Sequence, residues 1–184
     1  MRRIVNKFLL FCLFPGAAFG QFVCVSYGDV KTHQGILERQ ECKEPNRPGP
    51  TISKYVLDGK VLISGPSPIT FENENKGKNL FALQGSYDPA LYCPNRMFLI
   101  DLTGEKPRVF AFGVKNACAE YHWASWGKKR SVIAIKENIR FTYSNGKLSP
   151  PPDDFGDGTP LSRRYPEDGK PPRVRPFVEE LPVK

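Results

Sequence analysis

"MFLIDLTGEKPRVFAFGV", Met97–Val114, is two apolar runs separated by a polar turn that contains Gly104 and Pro107. Each run is the length of a strand and carries the β-branched and aromatic side chains that suit a pleated surface. A strand with one wet face alternates apolar and polar residues, whereas these runs are apolar on both faces. The stretch therefore predicts a hairpin with a longer loop in a central position.

Working outward, "KYVLDGKVLIS" (Lys54 to Ser64) places Asp58-Gly59 between two β-type runs, the pair of residues that tolerates the backbone of a tight two-residue turn. "SVIAIKENIRFTYSNG" (Ser131 to Gly146) reads as a third hairpin turning around Glu137-Asn138. In its second run Ile139, Phe141 and Tyr143 alternate with Arg140 and Thr142, and Asn145-Gly146 supplies one more tight turn. "QFVCVS" (Gln21 to Ser26), "ITF" (Ile69 to Phe71) and "LFALQ" (Leu80 to Gln84) add shorter strands. Thr32 to Gln40 carries a weak helical period, and the polar stretches Lys43 to Thr51 and Glu72 to Asn79 read as loops. The reading is a mainly β chain of about eight to ten short strands, a small antiparallel β-sandwich or barrel. A propeller needs four strands per blade, too many for a full ring here.

Residues 1–20, MRRIVNKFLLFCLFPGAAFG, have the basic start, apolar middle and small-residue end of a secretory signal peptide. The apolar run is far shorter than a spanning helix, so no membrane span is predicted. The remaining cysteines, Cys24, Cys42, Cys93 and Cys118, are even in number, as expected of two disulfides in an oxidising compartment. Closure of short loops favours Cys24–Cys42 with Cys93–Cys118. Bridged cysteines are staples, which argues against a cysteine nucleophile. Residues 149–184 hold 9 of the 18 prolines and read as an extended, disordered tail, leaving residues 21–148 as a single domain. The formal net charge is +8, carried by residues 21–148 rather than by the nearly balanced tail.

"CAEYHWASWG", Cys118 to Gly127, concentrates both tryptophans, a histidine and a carboxylate. A helix capped by Asn116 and closed by Gly127 competes with a strand over Tyr121 to Trp126, and the strand is favoured because the following segment is plainly β. Strand alternation then puts Tyr121, Trp123 and Ser125 on one face and His122, Ala124 and Trp126 on the other. Three uses compete for this stretch. The rings are core aromatics beside a disulfide; or Tyr121, Trp123 and Trp126 form a binding surface with Lys128, Lys129 and Arg130; or His122 and Glu120 are an acid/base pair. No nucleophile elbow, Gly-rich phosphate loop or three-ligand metal set is present, and no cofactor is predicted. Asp101 with Glu120 as a carboxylate pair cannot be given a working separation without a fold.

The functional expectation is an exported, non-enzymatic binding protein, periplasmic or extracellular, that meets an acidic protein or an anionic envelope polymer through the basic, aromatic turn. Export removes most nucleic acid, so none is expected as partner. In size, export and fold class the chain is similar in outline to periplasmic inhibitors and immunity proteins that plug an enzyme's cleft with a loop. The alternatives are a hydrolase of envelope polymer using His122 and Glu120, and a structural component of an envelope complex.

Overall fold

The computed structural model describes residues 22–45, 49–75, 77, 79–115, 117–151 and 175–183. The signal-like residues 1–20 and residues 152–174 of the tail lie outside them. Among the described residues there is no α-helix, and a 3-10 turn covers Lys136–Asn138.

The strands are β1 (Val23–Thr32), β2 (Gly35–Lys43), β3 (Ile52–Leu57), β4 (Lys60–Pro66), β5 (Thr70–Asn75), β6 (Leu80–Gln84), β7 (Tyr87–Asp88), β8 (Cys93–Pro94), β9 (Met97–Asp101) and β10 (Arg108–Val114). They continue with β11 (Tyr121–Trp126), β12 (Arg130–Ile135), β13 (Ile139–Ser144), β14 (Lys147–Ser149) and β15 (Pro176–Leu181). β1-β2-β3-β4 form one sheet, β15-β10-β9-β6-β5 a second and β11-β12-β13-β14 a third, with β7 and β8 as a small separate ribbon. The pairings are antiparallel.

The sandwich has three layers, and the five-stranded sheet is the middle one. Alternation along its strands sends side chains into two separate cores. Phe98 and Ile100 of β9, Val109 and Ala111 of β10, and Phe81 and Leu83 of β6 pack with Leu37, Tyr55, Leu57 and Ile63 of the first sheet. Met97 and Leu99, Phe110 and Phe112, and Leu80 pack with Ile133, Ile135, Phe141 and Tyr143 of the third. The apolar-on-both-faces pattern of residues 97–114 is thus the pattern of a strand pair buried between two cores. Cys24–Cys42 joins β1 to β2 and Cys93–Cys118 ties β8 to the segment before β11, the pairing that loop length favoured.

The Asp58-Gly59 and Asn145-Gly146 turns hold positive φ at both residues, as tight hairpins require. Gly146 is fixed twice over, because a Cβ there would meet the Arg108 guanidinium, which donates to the Gly146 carbonyl.

Three expectations change. Thr32 to Gln40 is not helical: Gly35–Lys43 is strand β2, paired on both sides, and of Ile36 to Gln40 only Leu37 is buried. The helical period there came from polar residues that sit on a half-wet sheet. Glu72 to Asn75 are strand rather than loop, because ladder bonds to β6 order the backbone without apolar burial. Residues 176–181 of the tail belong to the body: they pair with β10 from Val114↔Pro176 to Val109↔Leu181 as the edge of the middle sheet. Pro176 stands at the strand's first position, where a missing amide donor is tolerated.

Candidate functional site

The decapeptide forms strand β11, and a bulge decides what its side chains do. Tyr121 pairs with Ile135 and Trp123 with Ala134, so His122 is the extra residue. An extra residue resets the alternation. Tyr121, Ala124 and Trp126 therefore share the face that packs on the third sheet's core, and Trp123 lies on the opposite face. This corrects the expectation that Tyr121 and Trp123 point the same way. Trp123 sits with Ala134 and Arg140 across the sheet, the Arg140 guanidinium 5.7 Å from the ring centroid, a cation–π contact on the outer surface.

Tyr121 and Trp126 are joined through Asn73 of β5. The Asn73 amide donates to the Tyr121 hydroxyl at 2.8 Å and its Oδ1 accepts from the Trp126 indole at 2.9 Å. The Tyr121 backbone N–H donates to Gln84 Oε1 at 2.8 Å. Both rings thus span from the third sheet to the middle one, with their polar tips spent on that junction. His122 is exposed, while Glu120 is ion-paired with Lys136, so its carboxylate is committed elsewhere than to the imidazole.

The basic residues part company in a similar way. Arg130 opens β12 and donates to Thr142 Oγ1 at 3.1 Å. Lys128 and Lys129, exposed in the turn before it, line a cleft of about 610 Å³. The other walls come from residues distant in sequence: His33 in the β1–β2 turn, Asn79 before β6, Thr103 after β9, Ser131, Tyr143, and the Asn145-Gly146 turn. Among the described residues none that lines the cleft is acidic. Lys129 is held by its carbonyl, which accepts from Ser144 Oγ at 3.1 Å.

His33 Nδ1 lies 2.8 Å from Asn79 Nδ2 and Nε2 lies 3.4 Å from the Gly104 carbonyl, contacts that fit the tautomer protonated at Nε2. Gln34 donates to the carbonyls of Leu102 and Gly104, at 3.1 and 2.5 Å, which seats the β1–β2 turn on the loop after β9. Behind the cleft floor Tyr143 donates to Asp101 Oδ2 at 2.5 Å, and the Thr103 N–H and hydroxyl donate to Oδ1 at 2.8 and 2.6 Å. Burial, then the hydrogen bond to Asp101, push the Tyr143 hydroxyl well above the ordinary tyrosine range, so it serves as a neutral donor.

Of the residues singled out in the sequence, Lys128 and Lys129 are brought to a cleft. Tyr121 and Trp126 are turned inward, Trp123 and Arg130 lie on other surfaces, and the cysteines are bridged. No sequence motif marks His33, Asn79 and Asn145 as residues of one site, because contact between three separate turns creates their common wall. Among the described residues no group of three His, Cys, Asp or Glu is placed to hold a metal ion, and no helix is long and apolar enough to cross a membrane. Set against protein-family models, curated proteins and solved structures, the chain matches none.

Proposed function

We propose that the chain is an exported, non-enzymatic binding protein that seats an anionic group of an acidic protein partner or envelope polymer in the cleft beside Lys128 and Lys129. The observation that carries this reading is the lining: two lysine side chains, the side-chain amides of Asn79 and Asn145, and, among the described residues, no carboxylate. Positive charge backed by directional donors favours a carboxylate, sulfate or phosphate over a neutral ligand. The cleft volume is in the range of small-ligand sites. Two disulfides and the signal-like first twenty residues support a periplasmic or extracellular setting. Against a hydrolase stands the pairing of Glu120 with Lys136, which leaves His122 without the partner that such a mechanism gives it.

Polyglutamate and a sulfated polysaccharide serve as probes. Both should bind with an affinity that falls as salt is raised, and Lys128→Ala with Lys129→Ala should weaken binding at least about tenfold while stability stays within about 0.5 kcal/mol. Unchanged affinity in the double variant places the anion elsewhere and defeats the reading. Loss of activity on envelope polymer in His122→Ala would establish the hydrolase instead.

A further inference from the structure

We infer that the outer face of the third sheet is a track for an anionic polysaccharide, running from the Lys128–Lys129 cleft across β12 and β13 to Trp123. This rests on the reading of that cleft as an anion seat and names the class of ligand. Ile133 and Ile135 of β12 and Phe141 and Tyr143 of β13 are buried in the core, so alternation sends their neighbours to the opposite face.

The register sorts that face into rows. Trp123, Ala134 and Arg140 stand side by side in one of them. Arg130 and Lys147 flank Ser144 in another. From Arg130 to Ala134 along β12 is about 13 Å at the rise of a strand. Between the two rows lie Ser125, Val132 and Thr142. The row of Arg130 borders the cleft, because Lys129 precedes Arg130 and the Asn145-Gly146 turn joins Ser144 to Lys147.

The strip is cationic and directional. Arg130, Arg140 and Lys147 are exposed. Each guanidinium is braced by a neutral acceptor, Arg130 by Thr142 Oγ1 at 3.1 Å and Arg140 by Asn138 Oδ1 at 3.0 Å. Neither bond cancels the positive charge, and among the described residues of these rows there is no carboxylate. A braced guanidinium keeps N–H groups for the paired oxygens of a sulfate or carboxylate. Beside Arg140 stands the half-buried Trp123 ring, its centroid 5.7 Å from the guanidinium carbon. That ring offers an apolar surface to the C–H face of a sugar.

The layout selects the occupant. The cations are spread along a strip instead of converging, which suits a charged polymer over one small anion. Small side chains between the rows leave the strip shallow, whereas a folded protein partner anchors large side chains in pockets. Single-stranded nucleic acid stacks successive bases on several aromatic side chains, and these rows hold one ring. A sulfated or uronic-acid chain needs only what is present: a stacking surface, hydroxyls and spaced cations.

Heparin, a disaccharide cut from it, polyglutamate and oligothymidylate serve as probes, titrated into the oxidised full chain. Heparin should change the indole fluorescence, and Trp123→Phe should lose that signal because the Trp126 indole is held inward by Asn73. Trp123→Ala, and separately Arg130→Gln with Arg140→Gln, should weaken heparin binding at least about tenfold. The disaccharide, seated in the cleft alone, should bind these variants unchanged, and polyglutamate should be indifferent to Trp123→Ala. Both arginines are exposed, so their double variant carries the test where Trp123→Ala fails to fold. Heparin affinity unchanged in the Trp123 and arginine variants overturns the track and leaves the cleft standing. Indifference of heparin and disaccharide alike to Lys128→Ala with Lys129→Ala defeats the cleft reading, and with it the track that starts there. Oligothymidylate binding tighter than heparin, or polyglutamate losing as much as heparin in Trp123→Ala, assigns the face to another class of polymer and overturns the inference.

Discussion

Asn73 is polar, half-buried and placed in a stretch that reads as loop, yet two of the aromatic side chains depend on it. Its amide satisfies the Tyr121 hydroxyl and the Trp126 indole at once. Asn73→Ala removes both partners and leaves two half-buried groups to find water or go without. Loss of about 1–3 kcal/mol in denaturant unfolding is expected, with probe binding at the Lys128–Lys129 cleft retained. A variant as stable as wild type would mean that the junction between β5 and β11 rests on apolar contact alone. Tyr143 poses the same question one layer deeper. Tyr143→Phe withdraws one of three donors from Asp101, which is 2% exposed, and should also cost about 1–3 kcal/mol by the same measurement.

β15 is the last described strand and forms an edge of the middle sheet. Val178 packs on one core, Leu181 on the other, and Arg108 of β10 holds Glu180 through two bonds at 2.8 and 2.9 Å. The hydrogen bond from Arg108 keeps the Glu180 carboxyl below its ordinary value of 4.5. A lowered folded-state value means that the stabilisation is present above about pH 4.5 and is lost as pH falls through the folded value. Both side chains are partly exposed, so the effect stays below about 1 kcal/mol. In thermal melts the gap between wild type and Glu180→Gln should hold steady near neutral pH and close in acid. A gap that does not change with pH would assign the stabilisation to packing rather than to charge.

At the scale of the molecule, β15 completes a layer that would otherwise end on β10, whose residues Val109 to Val114 are buried throughout. Deleting residues 176–184 uncovers that strand and removes the partly buried Val178, Leu181 and Val183. Loss of about 2–4 kcal/mol is expected from the apolar area, together with an open edge that invites association. Unfolding curves for the truncated chain measure the first effect and light scattering the second. Full stability after truncation would show that the middle sheet stands without its fifth strand.

What the sequence determined by itself is local in origin. Asp58-Gly59 and Asn145-Gly146 dictate tight turns through backbone preference, short apolar runs dictate strands, and the doubly apolar pattern of residues 97–114 dictates a covered sheet. The even set Cys24, Cys42, Cys93 and Cys118 argues for two disulfides and short loops favour the observed pairing, but four cysteines allow three pairings and the fold chose among them. Tertiary structure decided the rest, because each remaining feature joins residues far apart. β15 is strand only because β10 offers an open ladder some sixty residues earlier in the chain. The facing of Tyr121 and Trp123 turns on one bulged residue set by the register with β12, and register is a property of two strands. The cleft exists only where the turns at His33, Lys128–Lys129 and Asn145 converge, so its lining could be read from no one of them.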